Sequence, residues 1–410
     1  MSFRITTNGL LRNYRNNLYD NTHKVNNSME RVQTGRQFNS YAEDPAAASK
    51  AFQLRRSFWN TGNQIDNSQH IISKFQTGWD ALDAIVEGDG DVNRGLNGIT
   101  ASIRALNGPS GSSRHTLGTD LLTTAESVTM LMNTRYNDEY VFAGADGLNV
   151  PFTTDDQGNL LYRGVMVDAP RAMTEDEYNA ARTANDPAVA DLASYKAYQE
   201  DYVGKYVKEP VMDKTDSTKV DTDMSFKKAI LRYDEATYVD IGLGLKMDSD
   251  QNVVSSSAFN SALSGMDMLG YGLDEDGDPK NIVSIMKELG TIYQSCDTES
   301  GDYAEYTYNG ETHDAEYARE RAGVLTQKLY RAFDHVSEKH VELDSKSKYL
   351  QDNKTQLETT QATLNEQIAD TEALDMAESI LEMSWARYCY EAALKIGNSI
   401  LSQSLIDYLR

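Results

Sequence analysis

No run of about 18 consecutive apolar residues occurs anywhere in the chain, so nothing in it reads as a membrane-spanning helix. The stretch from Met1 to Asn17 mixes Asn, Arg and single apolar residues. It lacks the apolar core and small-residue cleavage site of a secretory signal, so any export is expected to proceed without a cleaved signal peptide. Cysteine is nearly absent. Cys296 and Cys389 stand far apart in the sequence, which excludes a disulfide framework or a CxxC metal site and leaves two small thiols. Basic charge is also short, with 39 Lys and Arg against 63 Asp and Glu and a formal net charge of −24. A nucleic-acid partner is therefore not expected, because affinity for phosphate backbones comes from clustered cations.

The sites of common catalytic chemistry are missing as well. His335 and His340 lie five apart, roughly 140° around a helix, whereas a helical zinc site needs two imidazoles on one face. Asp274-Glu275-Asp276-Gly277-Asp278 opens like a calcium loop, but Pro279 and Ile285 fall where such a loop needs Gly and Glu. It reads as an acidic turn. Gly242-Leu243-Gly244 is a lone GxG with no helical phosphate cradle after it, and neither GxSxG nor a Walker sequence occurs. Between residues 150 and 320 the one histidine is His313. No catalytic residue, cofactor or metal is assigned, and the chain is not expected to be an enzyme.

What is present is helical periodicity at both ends and acid in the middle. At 410 residues the chain is expected to form two or three compact regions. Residues 141–320 hold 35 acidic against 15 basic side chains, whereas residues 1–60 hold 4 against 9. Leu11, Leu18, Val25 and Val32 recur every seven residues, and so do Ala51, Phe58, Ile65, Ile72, Trp79 and Val86. Between these two helices, Thr34-Gly35-Arg36 supplies a helix stop, and Ser40 to Pro45 supplies a cap and a helix start. A third helix is predicted from about His115 to Tyr136. In the C-terminal part Leu329, Val336, Leu343, Leu350, Leu357 and Leu364 form the longest heptad series. The companion seam is mostly polar, so this helix is expected to lie against the N-terminal helices along one line. From about Ala373 to Arg410 a last helix carries Ala377, Ile380, Leu381, Ser384, Tyr388, Ala392, Ile396 and Ile400 on a stripe. Such spacing is also that of an ordinary bundle core, and it does not say which helices stay within one subunit.

In the middle, Asn159 to Val167 and Thr237 to Leu243 are β-branched or aromatic and bounded by turns, which predicts short strands. Residues 174–201 predict a helix, and Asn281 to Tyr293 another, followed by a polar loop through about Thr312. The predicted fold is mainly α. A long antiparallel helical bundle or coiled coil formed by both chain ends carries an inserted α+β, β-rich outer domain. Residues 1–40 with 371–410 are expected to form terminal polymerisation arms. Residues 41–145 with 281–370 would form a bundle, and 146–280 the inserted domain.

At the hinge the chain reads Met29-Glu30-Arg31-Val32-Gln33-Thr34-Gly35-Arg36, then Ala42-Glu43-Asp44-Pro45-Ala46-Ala47. This resembles the N-terminal signature of the flagellin superfamily, and Ser399 to Leu409 resembles its C-terminal tail. Tyr140-Val141-Phe142-Ala143-Gly144 with Pro151-Phe152, Asp240 to Gly244, Ser257 to Asn260 and Leu269 to Gly272 are similar to the hook-associated members that join hook to filament. The resemblance covers about 1–152 and 240–410; its signature residues are Glu30, Arg31, Gly35, Arg36, Asp44, Pro45, Tyr140, Phe142, Gly144, Pro151 and Phe152. It implies a secreted, extracellular structural protein of the bacterial flagellum, exported by the flagellar type III apparatus. Partners would be further copies of the chain in a homo-oligomeric ring, neighbouring hook-associated subunits and flagellin, and an export chaperone gripping the C-terminal segment. The assembly interface expected from the paired stripes is Leu11, Leu18, Val25, Val32, Ile380, Leu381, Ile396, Ile400, Leu401, Leu405 and Leu409. Filament flagellin is the alternative within the superfamily, and an exported enzyme carried on flagellin-type arms is the alternative outside it.

Overall fold

A computed structural model describes residues 7–38, 42–88, 95–105, 111–184, 186–187, 189, 192–213, 216, 218–233, 235–249 and 251–408. The helices are α1 Thr7–Thr34, α2 Pro45–Val86, α3 Gly95–Ala105, α4 Gly111–Leu131, α5 Glu175–Thr183, α6 Tyr195–Tyr206, α7 Thr222–Leu231, α8 Gly265–Leu269, α9 Ile282–Ser295, α10 Ala315–Glu372 and α11 Met376–Tyr408. The strands are β1 Arg135–Tyr136, β2 Glu139–Tyr140, β3 Phe152–Thr154, β4 Leu160–Tyr162, β5 Val165–Met166, β6 Tyr238–Val239, β7 Phe259–Asn260, β8 Tyr306–Tyr308 and β9 Glu311–His313. The fold is mainly α, as its periodicity predicts, with small antiparallel sheets between the helical ends. Among the described residues no helix is long and apolar enough to cross a membrane. The chain divides into two compact units, Met1–Ile65 with Thr355–Arg410, and Asp66–Lys354.

In the first unit both chain ends break at matched places. Gly35 ends α1 at φ +67°, a conformation that glycine adopts without strain, and its N–H closes the helix on the Arg31 carbonyl at 2.9 Å. Asp44 caps α2 by accepting from the N–H groups of Ala46 and Ala47, with Pro45 at the first helical position. Asp375 does the same for α11 through Ala377 and Glu378. The two breaks then zip together: Arg36 bridges Ala373 antiparallel, Gln37 N donates to Glu372 O, and Leu374 N donates to Gly35 O. Arg55 pairs with Glu372 beside them.

In the second unit one core joins α2, α3, α4, α9 and α10. Leu329, Val336, Leu343 and Leu350 of the α10 seam are fully buried, each contributing about 1.5–3 kcal/mol of burial, while Leu357 and Leu364 further along are only half-buried. The predicted seam therefore exists along the whole helix and is sealed only over its first part. Where α4 crosses α9, Gly118 and Gly290 let the two backbones touch.

Several local expectations change. The predicted third helix stops at Leu131, and Tyr136 belongs to a hairpin instead, because Asn137 and Asp138 adopt φ of +46° and +65° and turn the chain. The helix predicted over 174–201 is two helices. Thr174 and Glu177 form a reciprocal capping box at the start of α5, and Ser194 caps α6; Pro187 lies between them, where a continuous helix would lose a hydrogen bond. The polar loop before Thr312 contains the β8–β9 hairpin, turned by Asn309-Gly310.

Residues 165–169 serve two cores at once. Val167 faces the bundle core, whereas Val165 and Ala169 face a second one built on Tyr178, Tyr198, Tyr202, Phe226 and Ala229. Asp168 sits in that alternation. Its Oδ2 accepts from the Ser284 hydroxyl at 2.6 Å, while Oδ1 is buried without a hydrogen bond. Burial pushes its carboxyl up to about 6, against the pull of Ser284, Lys287 and Arg232, with Glu288 adding to the push. A carboxyl raised in this way favours folding below its unfolded value near 3.9 and costs stability as pH rises to about 6. Asp168→Asn, which keeps the acceptor, is expected to stabilise the protein by about 2 kcal/mol at pH 7 and by nothing measurable at pH 4. Urea denaturation at both pH values checks this; equal stability of the two proteins at pH 7 would refute it.

Candidate assembly face

α1 and α11 pack together antiparallel: Arg31 pairs with Glu382 at 3.2 Å near one end, and Tyr14 lies over Gly397 near the other. On α1 the protected positions include Tyr14, Leu18, Asn21, Val25, Ser28 and Val32, alternating four and three apart, with Thr22 and Arg31 flanking them. On α11 they include Ser379, Met383, Ala386, Tyr390, Ala393 and Gly397, with the same alternation, and Ser384 beside them. This second seam is made mostly of small residues. A side chain at Gly397 would collide with the Tyr14 ring, so the close approach of the two helices is written into that position.

The large apolar residues of α11 point elsewhere. Trp385 is 69% exposed, Tyr388 68%, Leu381 62% and Ile396 56%, with Ile380 and Leu394 also exposed. On α1, Tyr19 and Met29 are exposed too. An amphipathic helix on a finished surface hides its large apolar side chains, and α11 does the reverse. Beside Trp385 runs a groove of about 480 Å³ lined by Lys24, Arg31, Glu382 and Cys389.

Of the predicted interface residues, Leu18, Val25 and Val32 lie on the seam between the two helices, while Ile380, Leu381 and Ile396 lie on the exposed face of α11. The side chains of Leu11, Ile400, Leu401 and Leu405 fall outside the described residues, as does Leu409 entirely. Trp385, Leu394 and Tyr19 were not predicted. The small residues Ala386, Ala393 and Gly397 at helical spacing were the available signal, since they mark which side of α11 lies against a neighbouring helix.

The signature residues hold the backbone. The Glu30 carbonyl accepts from Thr34 Oγ1, and Arg31, Gly35, Arg36, Asp44 and Pro45 make the paired hinge. Tyr140 stacks under the Arg135 guanidinium at 5.1 Å. Phe142 is buried, and its carbonyl accepts from the Tyr162 hydroxyl and from Gly265 N. Gly144 sits at φ +69° with the Glu235 carboxylate where a side chain would be, and that carboxylate accepts from Ala145 N and pairs with Arg163. The Pro151 carbonyl accepts from Arg163 N, and Asn133 clamps Phe152 by bonding both its N–H and its carbonyl.

The discounted catalytic strings find structural places. His335 Nε2 lies 2.8 Å from the Asp267 carbonyl, and His340 packs on Trp79 near Asp83, so each imidazole has its own surroundings. Asp274, Asp276 and Asp278 converge on the ammonium of Lys328. Gly242 and Gly244 lie in an exposed turn held by Asp240.

Residues 5–146 match the bacterial flagellin N-terminal helical region. Among solved structures the chain is similar to a Vibrio parahaemolyticus protein assigned as flagellar hook-associated, with 11% identity and a TM-score of 0.46 over 81% of this chain and 100% of that one. No curated protein sequence matches.

Proposed function

We propose that this chain, whose residues 5–146 match the bacterial flagellin N-terminal helical region, is a flagellin-superfamily protein that polymerises through the α1–α11 pair at the junction of flagellar hook and filament. The observation that carries this reading is the inside-out amphipathicity of α11. Its small residues lie against α1, and Leu381, Trp385, Tyr388 and Ile396 are left for a neighbour. Covering a large apolar side chain fully is worth about 1.5–3 kcal/mol. Four of them, already partly covered at 56–69% exposure, give on the order of 4–8 kcal/mol, comparable to the roughly 4–15 kcal/mol lost in immobilising a partner. One such contact is marginal, whereas a subunit held by several neighbours in a ring is stable, so assembly is cooperative and the lone subunit stays soluble. Hook-associated subunits on one side and flagellin on the other would meet the same helices, and an export chaperone would shield the α11 face before secretion. The strings Tyr140 to Phe152 and Asp240 to Gly272 support the junction over the filament itself.

Replacing Trp385 and Tyr388 together by Asp is expected to leave the helix content and the melting of the Asp66–Lys354 unit unchanged while abolishing incorporation into flagella. Wild-type incorporation by a folded double variant would sink the assembly reading. Position is tested separately by immunogold labelling of residues 153–239 on intact cells. One band at the filament base is the expected result; label along the whole filament would make the chain a flagellin.

A further inference from the structure

Within the Asp66–Lys354 unit a cleft of about 510 Å³ opens between α8, the turn that follows it and α10. That is within the range of small-molecule sites, about 300–1,000 Å³. Its apolar lining is Tyr271, Pro279, Ile285 and Ala332, and its charged lining includes Lys280, Arg331, Asp267 and Asp274. Most of these charges are already balanced. Asp267 pairs with Lys339 at 2.8 Å, and Asp274 pairs with Lys328 at 2.7 Å. Lys280 and Arg331 are not: among the described residues neither makes an ion pair or a side-chain hydrogen bond. Two unbalanced cations at one cleft stand out in a chain where acidic residues outnumber basic ones by 63 to 39.

We propose that this cleft binds a singly charged acidic sugar, its carboxylate held by Arg331 and Lys280 and its ring against Tyr271. The guanidinium fork matches a carboxylate in two parallel bonds, and an aromatic surface suits the C–H face of a pyranose. Asp267 and Asp274 decide between anions. Their oxygens keep acceptor capacity for sugar hydroxyls, which are donors, whereas the oxygens of a polyphosphate are acceptors and give these carboxylates no hydrogen bond. A nucleotide would also need a cradle of backbone N–H groups, and the glycine in this lining, Gly270, presents a carbonyl already taken by Asn281 Nδ2 at 2.8 Å. The site is separate from the α1–α11 face, so it stands or falls independently of the assembly reading.

Titration calorimetry of the full chain with glucuronate, with glucose and acetate as controls, tests the proposal. Glucuronate is expected to bind at least about tenfold more tightly than either control, a difference of about 1.4 kcal/mol. Arg331→Ala and Lys280→Ala, both at exposed positions where folding is not at stake, are each expected to weaken glucuronate about tenfold or more with an unchanged circular dichroism spectrum. Absence of glucuronate binding, equal binding of acetate, or full affinity in Arg331→Ala would each overturn it.

Discussion

Gly118→Ala is expected to destabilise the Asp66–Lys354 unit by about 3 kcal/mol and to lower its melting temperature by about 6–10 °C, the reverse of what this substitution does in most helices. In an open helix, alanine is favoured over glycine by about 1 kcal/mol. At Gly118 the new methyl would lie 2.5 Å from Gln294 N, 2.7 Å from Gly290 O and 2.9 Å from the Tyr293 carbonyl carbon. All three are backbone atoms of α9, so no rotamer change relieves the clash and the two helices must separate. That separation opens a core in which Leu117, Leu121, Leu289 and Ile292 are closed to solvent. Gly323 on α10 is the internal control, because a methyl there meets nothing within 4 Å. Gly323→Ala should raise stability by about 0.5–1 kcal/mol. Thermal melts of both variants read the contrast directly, and a stabilised Gly118→Ala protein would mean that α4 and α9 do not touch in solution.

That crossing also marks a boundary of what the amino-acid sequence discloses. The long helices are legible because their signal is periodic and local: Leu329 to Leu364 keep a seven-residue spacing, and α10 follows it without a break. The hinges are legible for a related reason, since Gly35, Asp44 and Pro45 each act on a neighbouring turn. Elements held by distant partners are not. β1, β2 and β7 are two residues long, too short for any alternation to register, and exist through their turns and the packing around them, whereas β4, β5 and β6 fall inside the β-branched and aromatic stretches Asn159 to Val167 and Thr237 to Leu243 that predict strands. α3 and α7 are missed because each has few turns and its stabilisation comes from buried faces such as Leu96, Ile99 and Ile103 for α3, or Phe226 and Ala229 for α7.

The candidate assembly face shows the same limit from the other side. Hydrophobicity alone places Ile380, Leu381 and Ile396 on the stripe expected to meet α1. In the folded protein the face against α1 is the small-residue one, because Gly397 must admit the Tyr14 ring. A rule that equates the apolar face with the inner face fails when the helix has a second surface to satisfy in a larger assembly. The signature residues Phe142, Gly144 and Phe152 were found from resemblance, and their physical roles at a crowded turn beside Glu235 and Tyr162 emerge only once Arg163 and Asn133 are brought to them.

Arg321→Ala should be the most damaging single substitution of a charged residue, costing about 4 kcal/mol at pH 7. Arg321 gives Nε and Nη2 to Glu288 at 2.6 and 2.9 Å and Nη1 to Asp278, while Lys328, seven residues on along the same face of α10, holds Asp278, Asp274 and Asp276. The Glu288 side chain is 7% exposed and that of Asp278 11%, so removing the guanidinium strands the Glu288 carboxylate where water cannot replace it and leaves Asp278 to Lys328 alone. Burial opposes ionisation of Asp278, but Lys328 and Arg321 overcome it and hold its carboxyl below the usual carboxylate range. A depressed carboxyl contributes stability that is present above its unfolded value near 3.9 and is lost as pH falls through the lower folded one. The wild-type protein should therefore weaken below about pH 4, and the gap to Arg321→Ala should narrow there. Pairing Arg321→Met with Glu288→Leu removes charge and counter-charge together while Lys328 still serves Asp278, and should recover most of the loss. Urea denaturation at pH 7 and pH 3 separates the cases. A deficit under about 1 kcal/mol at pH 7 for Arg321→Ala would show the cluster to be a solvated surface pair, because the penalty argued here comes from desolvation and vanishes once water reaches Glu288.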